Sequence, residues 1–169
     1  MKRPHRHEHG STLMEFVLVG IPLMFVLISI FEIARGMWTY QTLGYSVKRG
    51  GRYAIVHGSN CALSGNPCNV TIGQIASVMK NAGLGLDGNL FSLTFTPSSG
   101  SAVSCALNDC LTNTTVWPPS TANTPGSAIT ISATYPFVSA ISMFWPGAGG
   151  GMQFAAVNLG ATSNDLMQF

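Results

Sequence analysis

Charge is what this chain has least of: eight Lys plus Arg and six Asp plus Glu in 169 residues, or 8%, against roughly 25% in an ordinary soluble domain. A chain that stays disordered needs low hydrophobicity and high net charge. With 46% hydrophobic residues and a formal net charge of +2, this one must fold or sit in lipid, and it offers no extended basic face for nucleic acid. Histidine is scarce as well, His57 being the only one beyond the first nine residues. Outside the apolar amino-terminal region the acids are Asp87, Asp109 and Asp165, and no Gly-x-Ser-x-Gly, phosphate loop or His-Glu-x-x-His occurs. No nucleophile, base and orienting group and no set of metal ligands is legible. The expectation is therefore a non-enzyme without cofactor, metal or small-molecule substrate.

What is present is one long apolar run. Between Glu15 and Glu32 the chain reads FVLVGIPLMFVLISIF without an ionisable group. As a helix this stretch spans roughly 24 Å, and from Ser11 to Ala34 about 36 Å, enough for a bilayer core. A core helix apolar on every side would need more surrounding protein than the remaining chain supplies. A membrane-spanning segment over about 13–34 is expected. Lys2, Arg3 and Arg6 precede it and favour a cytoplasmic amino terminus, but Arg35, Lys48, Arg49 and Arg52 follow it, so charge bias alone does not fix the orientation. The four cysteines bear on it. Cys61 and Cys68 lie seven apart and Cys105 and Cys110 five apart, in loop-like sequence, which suits disulfides in an oxidising compartment such as a bacterial periplasm. Of the three possible connectivities the two local pairs are favoured. The rival, a zinc site, wants closer ligand gaps or nearby His. Ala34-Arg35-Gly36 resembles a signal-peptidase site, but the apolar run exceeds the usual seven to fifteen or so residues, and Glu32 and Arg35 crowd the cut.

The run begins with a short basic leader, Gly10, and then Ser11-Thr12-Leu13-Met14-Glu15-Phe16. An acid at the edge of the bilayer core is a functional candidate by default. If the chain is cut after Gly10, Ser11 gains a free amino group four residues from Glu15, on one helix face. This pattern resembles the type IV prepilin signal, cut after Gly by an inner-membrane prepilin peptidase. The longer stretch GSTLMEFVLVGIPLMFVLISIFEIARGMW, followed by VKRGGRYA, resembles the TadE-like pseudopilins of tight adherence (Tad, or Flp) pilus systems. In that family a Glu-Phe pair opens the helix, a Pro lies within it, and an acid and an Arg close it. Glu15, Phe16, Pro22, Glu32 and Arg35 stand at the matching places. The likeness covers residues 10–57, with a fainter echo over 129–162.

The resemblance implies a minor pseudopilin acting in pilus assembly, with Gly10 as the cleavage residue, Ser11 as the mature amino terminus, and Glu15 needed for processing or subunit packing. Phe16, Pro22, Glu32 and Arg35 would serve helix packing. The implied partners are the inner membrane, the peptidase, other pilins or pseudopilins and the assembly platform. The physics agrees, because a carboxylate and an ammonium attract strongly in a low-dielectric setting and would fix the axial register between helices. Duller readings stand beside these: Glu15 snorkelling at the interface, and Glu32 with Arg35 as a solvated collar. The alternative function is a permanently anchored periplasmic binding or adhesion module that never enters a pilus.

The expected organisation is a leader at 1–10, a helix over 11–57 and an extracytoplasmic α+β domain over 58–169. Trp38, Leu43, Tyr45 and Val47 continue the helix to about Val56, with Gly44, Gly50 and Gly51 weakening it. Thr71 and Gln74 form a capping box for a short amphipathic helix carrying Ile72, Ile75 and Met79, which Lys80 and Gly83 close. Alternation predicts strands at Phe91 to Thr96 and Ile129 to Phe137, and a last one from about Met152 to Ala161 after the turn Gly147 to Gly151, giving an antiparallel sheet of three or four strands stapled by disulfides. Asn113 to Gly126 reads as an exposed loop, with Trp117 anchoring it on the sheet or offering a contact.

Overall fold

The computed structural model of the chain describes residues 9–58, 61, 68–139 and 156–168, with side chains from Leu13 onward. Its first element, α1 (His9–Ile55), is a single helix of 47 residues that runs through Pro22, Gly44, Gly50 and Gly51, a length of about 70 Å. The sequence divides it in two. From Leu13 to Ile33 nearly every large apolar side chain is exposed all round, whereas from Thr39 onward one face, with Leu43, Ser46, Val47 and Ala54, is buried. That spacing of three and four is the stripe by which a helix joins a core.

Helix α2 (Ile72–Ala82) starts as the capping box requires. The Gln74 amide donates to Thr71 Oγ1 at 3.3 Å, and the Thr71 amide to Gln74 Oε1 at 2.9 Å. Both bonds satisfy amides that the first helical turn leaves without partners. Ile72, Ile75, Ala76 and Met79 are fully buried. Small residues on α1 let the two helices approach closely. Ser46 Oγ donates to the Met79 carbonyl at 2.8 Å, and a Cβ on Gly50 would stand 2.6 Å from Met79 Cγ.

Four strands, β1 (Ser92–Pro97), β2 (Val103–Ala106), β3 (Ala128–Val138) and β4 (Ala156–Leu166), form an antiparallel sheet in the order β2-β1-β3-β4. A one-turn helix α3 (Leu107–Cys110) follows β2, and a 3-10 turn spans Ser120–Ala122. The last strand runs to Leu166, beyond the expected end at Ala161, because the ladder continues from Val138↔Ala156 to Ala128↔Leu166 without a break. Gly147 to Gly151 and the expected strand start at Met152 lie outside the described residues.

β3 is longer than β1, whose pairing stops at Ser92↔Thr134. From Tyr135 to Val138 the strand pairs only with β4. Pro136, which has no amide to donate, is tolerated there because one side of the strand is an edge. The inner face of the sheet, with Leu93, Phe95, Ile129, Ile131 and Ala133, closes on α1 and α2 in a single core.

The segment from Asn113 to Gly126 keeps many of its residues exposed, as expected of a loop, but it is tied to the fold, with Trp117 as its anchor on the sheet. Thr71 and Val116 form a bridge, and the Ile72 and Gly73 amides donate to the carbonyls of Thr115 and Asn113. Trp117 is 2% exposed and meets Phe95 edge-on at 5.2 Å between ring centroids, with Ala122 and Asn123 buried nearby. A large aromatic surface removed from water outweighs the polar composition around it. The four cysteines form Cys61–Cys68 and Cys105–Cys110, the two local pairs, which uses up the thiols a zinc site would need.

Candidate functional site: an apolar helix and its collar

Among the described residues one helix is long and apolar enough to cross a membrane, and none of its apolar window is buried by the rest of the chain. Gly10 and Ser11 belong to its first turns. Glu15 and Phe16 follow at the start of the exposed apolar surface. Phe16, Gly20, Met24 and Ile28 lie at four-residue intervals and, with Val17, Ile21 and Phe25, line an open groove of about 470 Å³. Gly20 supplies the dip in this surface; a Cβ there would touch only the Phe16 ring. Pro22 removes one amide from the ladder, leaving the Leu18 carbonyl without its helical donor, and Ser29 Oγ donates back to the Phe25 carbonyl at 2.8 Å. In lipid it is close packing against small residues that drives helix association.

The apolar surface ends at a collar. Arg35 Nη2 donates to Glu32 Oε2 at 3.1 Å, and the Glu32 side chain keeps only 14% of its exposure. The same guanidinium lies over the Phe137 ring at 4.7 Å and donates to the Val138 carbonyl. So the pair expected from sequence forms, and the half-exposed Arg35 also sets its planar face and one further N–H against β3. The Phe137 ring lies beside Gly36, where a Cβ would meet it in ordinary contact at 3.6 Å. Phe137 was expected at the end of a strand, but nothing local ties it or Val138 to Arg35, more than a hundred residues away in sequence.

Above the collar α1 changes from lipid-like to core-like. At Gly51 a Cβ would stand 2.5 Å from Asp165 Oδ2 and 3.1 Å from Ser163 Oγ, so side chains of β4 come close to the helix here. Ser163 Oγ donates to Asp165 Oδ2 at 2.6 Å. Glycines that weakened the expected helix by propensity are thus the places of closest approach, Gly50 to α2 and Gly51 to β4. His57 is buried, its Nδ1 donating to the Tyr53 carbonyl at 2.6 Å and its ring tilted by 38° against that of Tyr53, 4.2 Å between centroids. That arrangement closes the helix end. Among the described residues no three His, Cys, Asp or Glu side chains converge as metal ligands would.

Of the positions singled out in sequence, Glu32 and Arg35 are brought together. Gly10 and Ser11 lie in the first turns of the helix, and Glu15, Phe16 and Pro22 are exposed along its apolar half. Residues 10–52 match the family model described as TadE-like protein, the family of Tad pilus systems. No curated protein and no solved structure matches the chain. The match covers the apolar half of α1, the groove, the collar and the Gly50-Gly51 pair, and it stops before the sheet begins.

Proposed function

We propose that this protein is a minor pseudopilin of a Tad-type pilus, inserted with residues 1–10 in the cytoplasm and residues 58–169 on the periplasmic side. The observation that carries the reading is an overlap. The TadE-like match, residues 10–52, takes in the whole stretch from Leu13 to Ile33, whose large apolar side chains are left exposed by the described residues. The two disulfides support an oxidising location for the sheet domain.

In this reading a prepilin peptidase cuts after Gly10 and Ser11 becomes the amino terminus. Glu15, four residues on, lies on the same helix face as the new ammonium. Within a low-dielectric bundle that ammonium and the Glu15 carboxylate of a neighbouring helix attract strongly, which sets how far one subunit slides along the next. Phe16 and Pro22 belong to the groove region that packs against other pilins, while Glu32 and Arg35 mark where the packed helix leaves the membrane. The chemistry of the chain is assembly, not catalysis.

The test is the intact mass and amino-terminal sequence of membrane-extracted protein from cells with and without the peptidase. A peptidase-dependent start at Ser11, abolished in Gly10→Leu, is expected. An unprocessed Met1 in both strains would sink the reading and favour a permanently anchored binding module. A start near Gly36 would mean a conventional signal peptide.

A further inference from the structure

Arg35 fixes the height of the sheet against the helix. From Leu13 to Arg35 α1 rises about 33 Å, close to the roughly 30 Å hydrocarbon thickness of a bilayer. Where this half of α1 spans the membrane, Arg35 therefore stands at headgroup level. Trp38, 66% exposed, and the exposed Tyr40 follow directly, at the depth where aromatic belts sit. Because Arg35 holds Phe137 and the Val138 carbonyl, the end of the β3–β4 ribbon stands at the same depth.

The ribbon also points the right way. β4 runs alongside α1 in the same direction. Phe137, paired with Val157, packs on Gly36 at the lower end; Ser163 and Asp165 meet Gly51 higher up; and the Gln168 amide donates to the Ile55 carbonyl at the top. The free end of the ribbon, past the last pairing of β1, is thus directed along the helix toward its apolar half.

Its surface is wrong for water. Val157 is 61% exposed and shares the face of its partner Phe137, while Val138, 52% exposed, lies on the opposite face. The ribbon end is apolar on both faces. Leu90 is exposed at the same end of the sheet, two residues before Ser92, which pairs with Thr134.

We infer that the end of the β3–β4 ribbon, built by Phe137, Val138, Ala156 and Val157, is a second bilayer contact that docks the sheet domain onto the lipid surface beside α1. The inference rests on the membrane-spanning reading of α1. Two contacts at one depth fix the tilt and rotation of the domain, which a single helix leaves free, and this holds the groove of α1 at a set orientation in the membrane plane.

Spin labels test it in the full-length protein in lipid nanodiscs, the native cysteines being paired in disulfides. Labels go on Val138→Cys and Val157→Cys, both exposed, on Val26→Cys at mid-helix, and on Ser99→Cys in the β1–β2 turn at the opposite end of the sheet. The ratio of oxygen to water-soluble nickel accessibility reads depth. The expected order is Val26 highest, Val138 and Val157 intermediate at headgroup level, and Ser99 lowest. Labels at 138 and 157 as wet as at Ser99, with Val26 deep, would overturn the ribbon contact and leave the anchor standing. A wet label at Val26 would overturn both. Labels at 138 and 157 shielded from both reagents, or spin-coupled between chains, would mean protein packing in place of lipid and would also overturn it.

Discussion

Glycine has two opposite meanings in this chain, and the residue scale is where they separate. In α1, Gly44 would meet nothing within 4 Å if it carried a Cβ. Its cost there is the backbone entropy lost on folding, so Gly44→Ala should stabilise the protein by up to about 1 kcal/mol. Gly73, in the first turn of α2, would place a Cβ 2.7 Å from the Leu111 carbonyl oxygen and 3.0 Å from that of Asn113. Those are backbone atoms. The Asn113 carbonyl accepts the Gly73 amide, and the Leu111 amide bonds back to Leu107, so the loop cannot simply yield. Gly73→Ala should therefore cost roughly 1–3 kcal/mol through overpacking, despite the same gain in helix propensity. Thermal unfolding in detergent, followed by near-ultraviolet circular dichroism, checks both, and a higher melting temperature for Gly73→Ala would refute the close-approach argument. From sequence all these glycines look alike, because what distinguishes them is a neighbour distant along the chain.

At the scale of elements, legibility follows how local the cause is. The α2 start was readable because Thr71 and Gln74 bond each other three residues apart, and β1 and β3 because alternate residues face one core. β2 was not, since Val103 to Ala106 is four residues long, half-buried, and held at the sheet edge by its partner rather than by its own pattern. The same holds for α3. Both are tied by Cys105–Cys110, and Cys110 lies fully inside the core whereas Cys61 is at its margin. The two disulfides should therefore differ in effect. Replacing Cys105 and Cys110 by Ala opens a buried site as well as releasing the chain constraint, and should lower stability by more than the roughly 2–4 kcal/mol typical of a disulfide. Replacing Cys61 and Cys68 should cost less. Denaturant midpoints of the two double variants decide the order, and equal midpoints would mean that burial of Cys110 adds nothing. The candidate site was legible in the same uneven way. Glu32 and Arg35 could be paired from their spacing, but Phe137 and Val138, which fix what Arg35 does, reach it only through the sheet.

For the whole molecule, the chemical boundary and the folding boundary fall at different places along α1. Among the described side chains of that helix every buried one lies at or after Thr39, and every large one of the apolar half is outside the core. The core beneath the sheet therefore includes residues of the second half of α1, Leu43, Val47, Ala54 and Ile55. Leu43, Val47 and Ile55 each bury a side chain worth about 1.5–3 kcal/mol. Removing all three takes away an amount comparable to the whole stability of a typical domain, about 5–15 kcal/mol. A fragment covering residues 32–169 should consequently fold, show one cooperative transition and retain both disulfides. A fragment covering residues 57–169 should not. Circular dichroism and thermal melting of the two fragments, exported to an oxidising compartment, separate the cases. A folded 57–169 fragment would mean that the helix only rests on a self-sufficient sheet. Its failure beside a folded 32–169 fragment would instead make α1 one rigid lever, so that a subunit pressed into the groove at Phe16 and Met24 moves the sheet at Gly51 with it.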